Sequence, residues 1–309
     1  MSYHVIDIST EGVTLSVKDN QLVCKHPDGT KRSLPMEDVG AVLVNVFSAT
    51  FHTSFLVAAA KHKVAVVVCE KYRPVSLVLP VQRSSDTILP RAQIDAPRRL
   101  TDALWMKTVD AKCQNQYELV ERIHPKESVL FADFRVSLGR KDVFKEGNCA
   151  RCYWDLYSEA LGMSGFRRLR DGGGLNSMLN YAYAVLEIRV EQKLLAMGLD
   201  PLYGVGHATR ERSLPLAYDM MEPFRCAVDE MIYEWISARG QTEDVLVVDK
   251  SFKESAHELM QRRFPYREAK NVRLDDILDA VIRSFKKALL SGRVTDYRPW
   301  IRRNSKWGG

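Results

Sequence analysis

The sequence predicts an α+β chain of two domains, a small β-rich one at the N-terminus followed by a larger all-helical one. Three observations carry that reading. Up to about Pro80 the apolar residues come in short β-branched bursts. After Pro97 they recur at three- and four-residue spacing over long stretches. Between the two, three prolines (Pro80, Pro90 and Pro97) sit in a polar segment of weak periodicity. The domains are therefore expected at 1–80 and 98–309, with 81–97 as a linker rather than a core element.

In chain order, the bursts VIDI, VTLSV, QLVC, AVLVNV, VAVVV and VSLVL read as strands separated by turn chemistry. Lys18-Asp19-Asn20 joins two of them tightly, and His26-Pro27-Asp28-Gly29 supplies a turn in which Gly29 is free to take positive φ. Consecutive hairpins are the expectation. Thr53 to Lys63 is alanine-rich and free of turn residues, so it predicts one short helix ahead of the strand Val64 to Cys69.

Beyond Pro97 the helical period predicts helices near 98–122, 126–139, 147–161, 175–198, 214–238, 250–263 and 274–290. Leu175, Met178, Leu179, Ala182, Leu186, Val190 and Leu194 form one apolar stripe that should face the core. The tail from Arg293 carries Tyr297, Trp300 and Trp307, aromatics expected to pack onto the helical domain.

Composition removes several classes. A hydrophobic fraction of 46% and a charged fraction of 27% over 309 residues are those of a folded globular chain. No run approaches the roughly 18 to 20 apolar residues of a membrane span, and MSYHVIDIST lacks a basic region followed by an apolar stretch, so a cytoplasmic protein is expected. The six cysteines suit reduced thiols, and Cys149 and Cys152, although a CxxC, fall in a helical pattern without a second pair of zinc-ligand spacing. A net charge of +6, with the basic residues concentrated after position 130, is compatible with a polyanionic partner.

Three segments of the helical half place metal-binding side chains beside small or turn-forming residues: KEGNCARCYW with Glu146, YGVGHATRER with His207, and LAYDMMEPF with Asp219 and Glu222. Asp219 and Glu222 stand three apart, which on a helix brings both carboxylates to one face, while Pro223 should kink the segment there. One imidazole with two or three carboxylates favours Mg²⁺ or Mn²⁺ and phosphodiester chemistry. Lys145, Arg151, Arg167, Arg168, Arg210, Arg212 and Arg225 are the candidates for DNA phosphate contacts. Spacing alone leaves the ordinary alternative open, a capping histidine and a solvated DxxE face.

Taken in order, the Glu146-Gly147 opening of a helix, the stretch MLNYAYAVLE at 178–187, GVGH ending at His207 and LAYDMMEPFR with Glu222 resemble the CRISPR-associated spacer-acquisition integrase family, the universal adaptation subunit. The N-terminal SLPMEDVGAVLV and VAVVVCE segments resemble that family's β domain. The resemblance implies a divalent ion on Glu146, His207 and Glu222, with Asp219 as a possible fourth ligand. It also implies a homodimer formed through the β domains, dimers bridged by a small ferredoxin-like partner subunit, and double-stranded DNA as substrate. The implied reaction is attack of a spacer 3′ hydroxyl on a phosphodiester of the repeat, and no GxxxxGK[ST] loop is present for a nucleotide cofactor. Two other readings use the same residues: a non-catalytic, DNA-binding architectural subunit, and a metal-dependent nuclease of branched DNA repair intermediates.

Overall fold

A computed structural model describes residues 4–70, 73–78, 88–124, 128–163, 165–208, 214–240 and 245–302. The N-terminal part holds eight strands among these residues: β1 (His4–Ile8), β2 (Val13–Lys18), β3 (Gln21–Lys25), β4 (Lys31–Pro35), β5 (Val39–Val44), β6 (Ala49–Phe51), β7 (Ala65–Glu70) and β8 (Arg73–Val78). The helix α1 (Thr53–Lys61) precedes β7. Two four-stranded sheets result, in the orders β1-β5-β7-β8 and β4-β3-β2-β6.

The two predicted turns make hairpins. Asp19 and Asn20 take φ of 50° and 58° between β2 and β3, the left-handed pair that a tight two-residue turn demands, and Gly29 takes φ 87° between β3 and β4. The consecutive strands β7 and β8 also pair antiparallel, but the expectation of consecutive hairpins fails for the rest: β1 pairs with β5, β5 with β7 and β2 with β6, all in parallel. Parallel neighbours need a crossover, which β6 and α1 supply between β5 and β7.

The uninterrupted apolar runs of β5 and β7 are explained by burial on both faces. One face of their sheet packs with Leu15, Met36 and Phe55 in the β core. The other places Ala41, Leu43, Ala65 and Val67 against Ala196 of the helical part. Polar contacts reinforce this docking, as Arg189 donates from Nη1 to Asp7 Oδ2 at 2.8 Å and from Nε to Asp275 Oδ1 at 2.7 Å.

The helical part comprises α2 (Ile88–Ile94), α3 (Arg98–Ile123), α4 (Val129–Leu138), α5 (Lys145–Ala160), α6 (Leu175–Ala196), α7 (Pro215–Met221), α8 (Arg225–Arg239), α9 (Lys250–Glu258) and α10 (Leu274–Ser291). All seven residues of the predicted α6 stripe are buried. Three local corrections arise. The segment read as linker contains α2, whose Leu89 is buried and whose Gln93 bonds Asp200 through both its amide groups; Pro90 is tolerated because it lies in the first helical turn. The run at 214–238 is divided by a tighter 3-10 turn, Glu222–Phe224, at Pro223. A hairpin of β9 (Arg263–Tyr266) and β10 (Ala269–Arg273) interrupts the otherwise helical domain.

All six cysteines are free thiols, with Cys149 and Cys152 fully buried in α5. Tyr297 and Trp300 are also fully buried, Trp300 stacking on Phe224 with ring centroids 5.3 Å apart. Trp307 lies outside the described residues. No helix among the described residues is long and apolar enough to cross a membrane.

Candidate active site

Three layers of the helical domain meet where α3, the first turn of α5 and the 3-10 turn at Pro223 pack together. The turn is tied to α3 by Asn115, whose Nδ2 donates to the carbonyls of Pro223 and Trp300 at 2.8 and 2.9 Å. Glu222 opens this turn and Glu146 lies in the first turn of α5, so the fold brings two carboxylates from distant parts of the chain to the same face of α3.

The group between them is Lys112 of α3. Its Nζ lies 2.6 Å from Glu146 Oε1 and 2.6 Å from Glu222 Oε2. The ammonium group donates to Glu146 Oε1 and lies equally close to Glu222 Oε2, whose carboxylate it stabilises by charge and by hydrogen bonding. The second oxygen, Oε1, accepts from Arg225 Nε at 2.8 Å, and that guanidinium stacks 4.5 Å above the Tyr183 ring. Glu222 is almost wholly buried, its side chain 3% exposed, while Glu146 retains 35%. Burial works to raise the Glu222 pKa, but the charges of Arg225 and Lys112 overcome it and bring it down to about 2.

His207 is set by Asp219. Asp219 Oδ2 accepts from the backbone N–H groups of Val205 and Gly206 at 2.5 and 3.0 Å; Oδ1 accepts from the backbone N–H of His207 at 2.9 Å and pairs with its Nδ1 at 2.7 Å. Both glycines of GVGH are needed for this close wrapping. A Cβ on Gly204 would fall 2.8 Å from Asp219 Oδ2, and one on Gly206 would fall 2.1 Å from the Trp105 ring. Trp105 and Tyr218 meet the imidazole edge-on, with centroids 5.3 and 5.9 Å away. The hydrogen bond to Asp219 raises the His207 pKa against the effect of burial, and the charges of Asp219, Glu222 and Glu146 add to the rise. That electrostatic coupling ties the His207 loop to the glutamate pair.

Among the described residues, no three His, Cys, Asp or Glu side chains are gathered as a ready ion cage. The arrangement explains why: a lysine stands between the two glutamates, and Asp219 has both oxygens occupied by the His207 loop instead of facing Glu222. The donor set nevertheless fits a hard divalent ion. Two carboxylates meet at one cation, within electrostatic range of an imidazole whose Nδ1 is committed to a buried carboxylate.

The basic candidates divide by placement. Arg151 and Arg167 are exposed. Lys145 is buried and paired with Asp110 at 2.5 Å because the first turn of α5 lies against α3. Arg168 turns inward, donating to Asn176 Oδ1 and Asn180 Oδ1 at 2.9 and 2.6 Å, and Arg225 is bound to Glu222 as described. Arg210 and Arg212 lie outside the described residues.

Sequence reasoning missed Lys112, although a signal existed. Thr108, Lys112, Asn115 and Gln116 fall at helical spacing on a face otherwise buried, so a charge there requires a partner. It also missed the fully buried Asp229, which accepts from the hydroxyls of Tyr153 and Tyr183 at 2.5 Å each.

The family model of CRISPR associated protein Cas1 matches residues 6–258. A "CRISPR-associated endonuclease Cas1" of Neisseria meningitidis serogroup C (strain 8013) is 26% identical over 220 residues, covering 71% of each chain. Among solved structures, a casposase bound to integration product superposes with TM-score 0.68 at 19% identity, covering 95% of this chain and 96% of that one. A partial Cas6-RT-Cas1–Cas2 complex superposes with TM-score 0.76 at 15% identity, covering 98% of this chain and 100% of that one.

Proposed function

Because the chain belongs to the family of CRISPR associated protein Cas1, we propose that it is the metal-dependent DNA integrase of CRISPR adaptation, joining short duplex DNA into the repeat array by transesterification. The observation that carries the reading is the convergence of Glu146 and Glu222 on one cationic point, beside a histidine oriented by Asp219.

In this reading Glu146, Glu222 and the Nε2 of His207 hold Mg²⁺ or Mn²⁺. When bound, such an ion polarises a phosphoryl oxygen and activates the attacking hydroxyl. Asp219 contributes by fixing the ring and its Nδ1 proton. Arg225 holds Glu222 Oε1, so the carboxylate cannot rotate freely. Arg151 and Arg167 face solvent and grip the DNA backbone without reading sequence. In the reaction the spacer 3′ oxygen forms a new bond to phosphorus as the repeat strand's bond to its own 3′ oxygen breaks. One diester replaces another, and no nucleotide is consumed.

The partners belong to the same proposal: a homodimer through the β domains, and a small ferredoxin-like subunit bridging dimers in the cytoplasm. The structural neighbour solved as a complex with Cas2 supports a partner subunit. The decisive experiment incubates the purified chain, with and without the small subunit, with labelled short duplex and a supercoiled repeat plasmid. Joined DNA in Mg²⁺ or Mn²⁺ and none in chelator is the expected result. Only shortened DNA would indicate a hydrolytic nuclease, and ion-independent binding without products an architectural subunit.

A further inference from the structure

We infer that Lys112 is a built-in competitor of the divalent ion, neutralising Glu146 Oε1 and Glu222 Oε2 in the metal-free protein and leaving both oxygens when the ion binds. This rests on the reading of the site as a metal centre, and adds what holds that centre together beforehand.

The case begins with repulsion. Two carboxylates directed at one point, one of them nearly dry, cannot both stay ionised without a cation between them. Lys112 supplies it at 2.6 Å from each, through a side chain only 11% exposed. Its ammonium group sits against the oxygens that an ion needs, since Glu222 Oε1 already belongs to Arg225.

The two cations at Glu222 differ in how firmly they are placed. Arg225 makes a directed Nε bond and stacks on Tyr183, which fixes its planar fork. Lys112 divides one compact ammonium group between Glu146 Oε1 and Glu222 Oε2 and carries it on a flexible four-carbon stem. The lysine is the partner that can withdraw; the arginine is the one that stays. Lys112 therefore keeps the two ligands gathered but weakens the apparent affinity for metal, because each binding event must displace an ammonium ion.

The test measures Mn²⁺ binding to the full chain by electron paramagnetic resonance, without reference to activity. Lys112→Met should bind Mn²⁺ about tenfold more tightly than the wild type, or better, a gain of about 1.4 kcal/mol. Equal or weaker binding by folded Lys112→Met overturns the inference. Glu146→Gln and His207→Ala are the controls for the site: if neither weakens Mn²⁺ binding relative to wild type, the metal centre itself is misplaced and the inference falls with it. Should Lys112→Met fail to fold, the wild type still decides. N-hydroxysuccinimidyl acetate followed by mass spectrometry should acetylate Lys112 several-fold faster in Mg²⁺ than in chelator, and an unchanged rate overturns the proposal.

Discussion

His207 and Asp219 are joined twice through one oxygen, the backbone N–H of His207 lying 2.9 Å and its ring Nδ1 2.7 Å from Asp219 Oδ1. A single buried carboxylate thus sets both the path of the GVGH loop and the rotation of the imidazole at its end. Asp219→Asn keeps the shape but turns a donor toward groups that themselves donate. Strand transfer should fall roughly 10- to 100-fold, the usual effect of losing the group that orients a ligand histidine. Thermal stability should drop as well, because four donors converge on that carboxylate; an unchanged integration rate would assign Asp219 to packing alone.

Replacing the three proposed ligands should give two different phenotypes. Glu146 and His207 are partly exposed, so Glu146→Gln and His207→Ala should abolish strand transfer with little effect on folding. Glu222 is buried between Lys112 and Arg225, and removing it leaves two cations without their counter-charge. Glu222→Ala should therefore destabilise by about 3–5 kcal/mol in addition to losing activity. Urea denaturation of the three variants checks this, and equal stabilities would contradict the burial argument.

A pH signature comes from Asp229, behind the site. Burial lifts its pKa to about 6 from an ordinary 3.8, although the hydroxyls of Tyr153 and Tyr183 and the charges of Arg225 and Arg168 all pull it down. Between those values the folded chain holds a proton that the unfolded chain has released. The contribution of Asp229 to stability is then fully present below about pH 4 and is lost as pH rises through 6, by about 3 kcal/mol in all. Urea melts of wild type and Asp229→Asn from pH 4 to 7.5 should show the variant gaining relative stability as pH rises; a constant difference would refute it.

How much of this could be read beforehand depends on the physics of each feature. The division into β and helical parts was legible because hydrophobic period is written directly in sequence, and the α6 stripe from Leu175 to Leu194 is buried throughout. The parallel pairing of β1, β5 and β7 was not read, although the uninterrupted apolar runs of β5 and β7 marked strands buried on both faces; which strands neighbour them depends on contacts remote in the chain. The helix at Ile88–Ile94 was hidden by Pro90, read as a breaker although it lies within the first turn. The family resemblance drew attention to Glu146, His207 and Glu222 but carried nothing about Lys112, whose meaning depends on two carboxylates remote in the chain.

The contact of Gly206 with Trp105 yields a test of loop geometry independent of ligation and charge. Since a Cβ at Gly206 would stand 2.1 Å from the indole, Gly206→Ala has to move either the ring or the loop that carries His207. Trp105 is packed against the helical core and meets His207 edge-on at 5.3 Å, so the loop is the part expected to yield. A displacement on the order of 1 Å at a catalytic group can lower rates about 100-fold, and a loss of that size is expected in strand transfer. Shrinking the obstacle should reverse it: Trp105→Leu combined with Gly206→Ala should recover activity over Gly206→Ala alone, even though Trp105→Leu by itself impairs the enzyme. Such sign reversal in a double-mutant cycle follows from a shared steric conflict, whereas additive losses would show that Gly206 is needed for something other than the space it leaves for the indole.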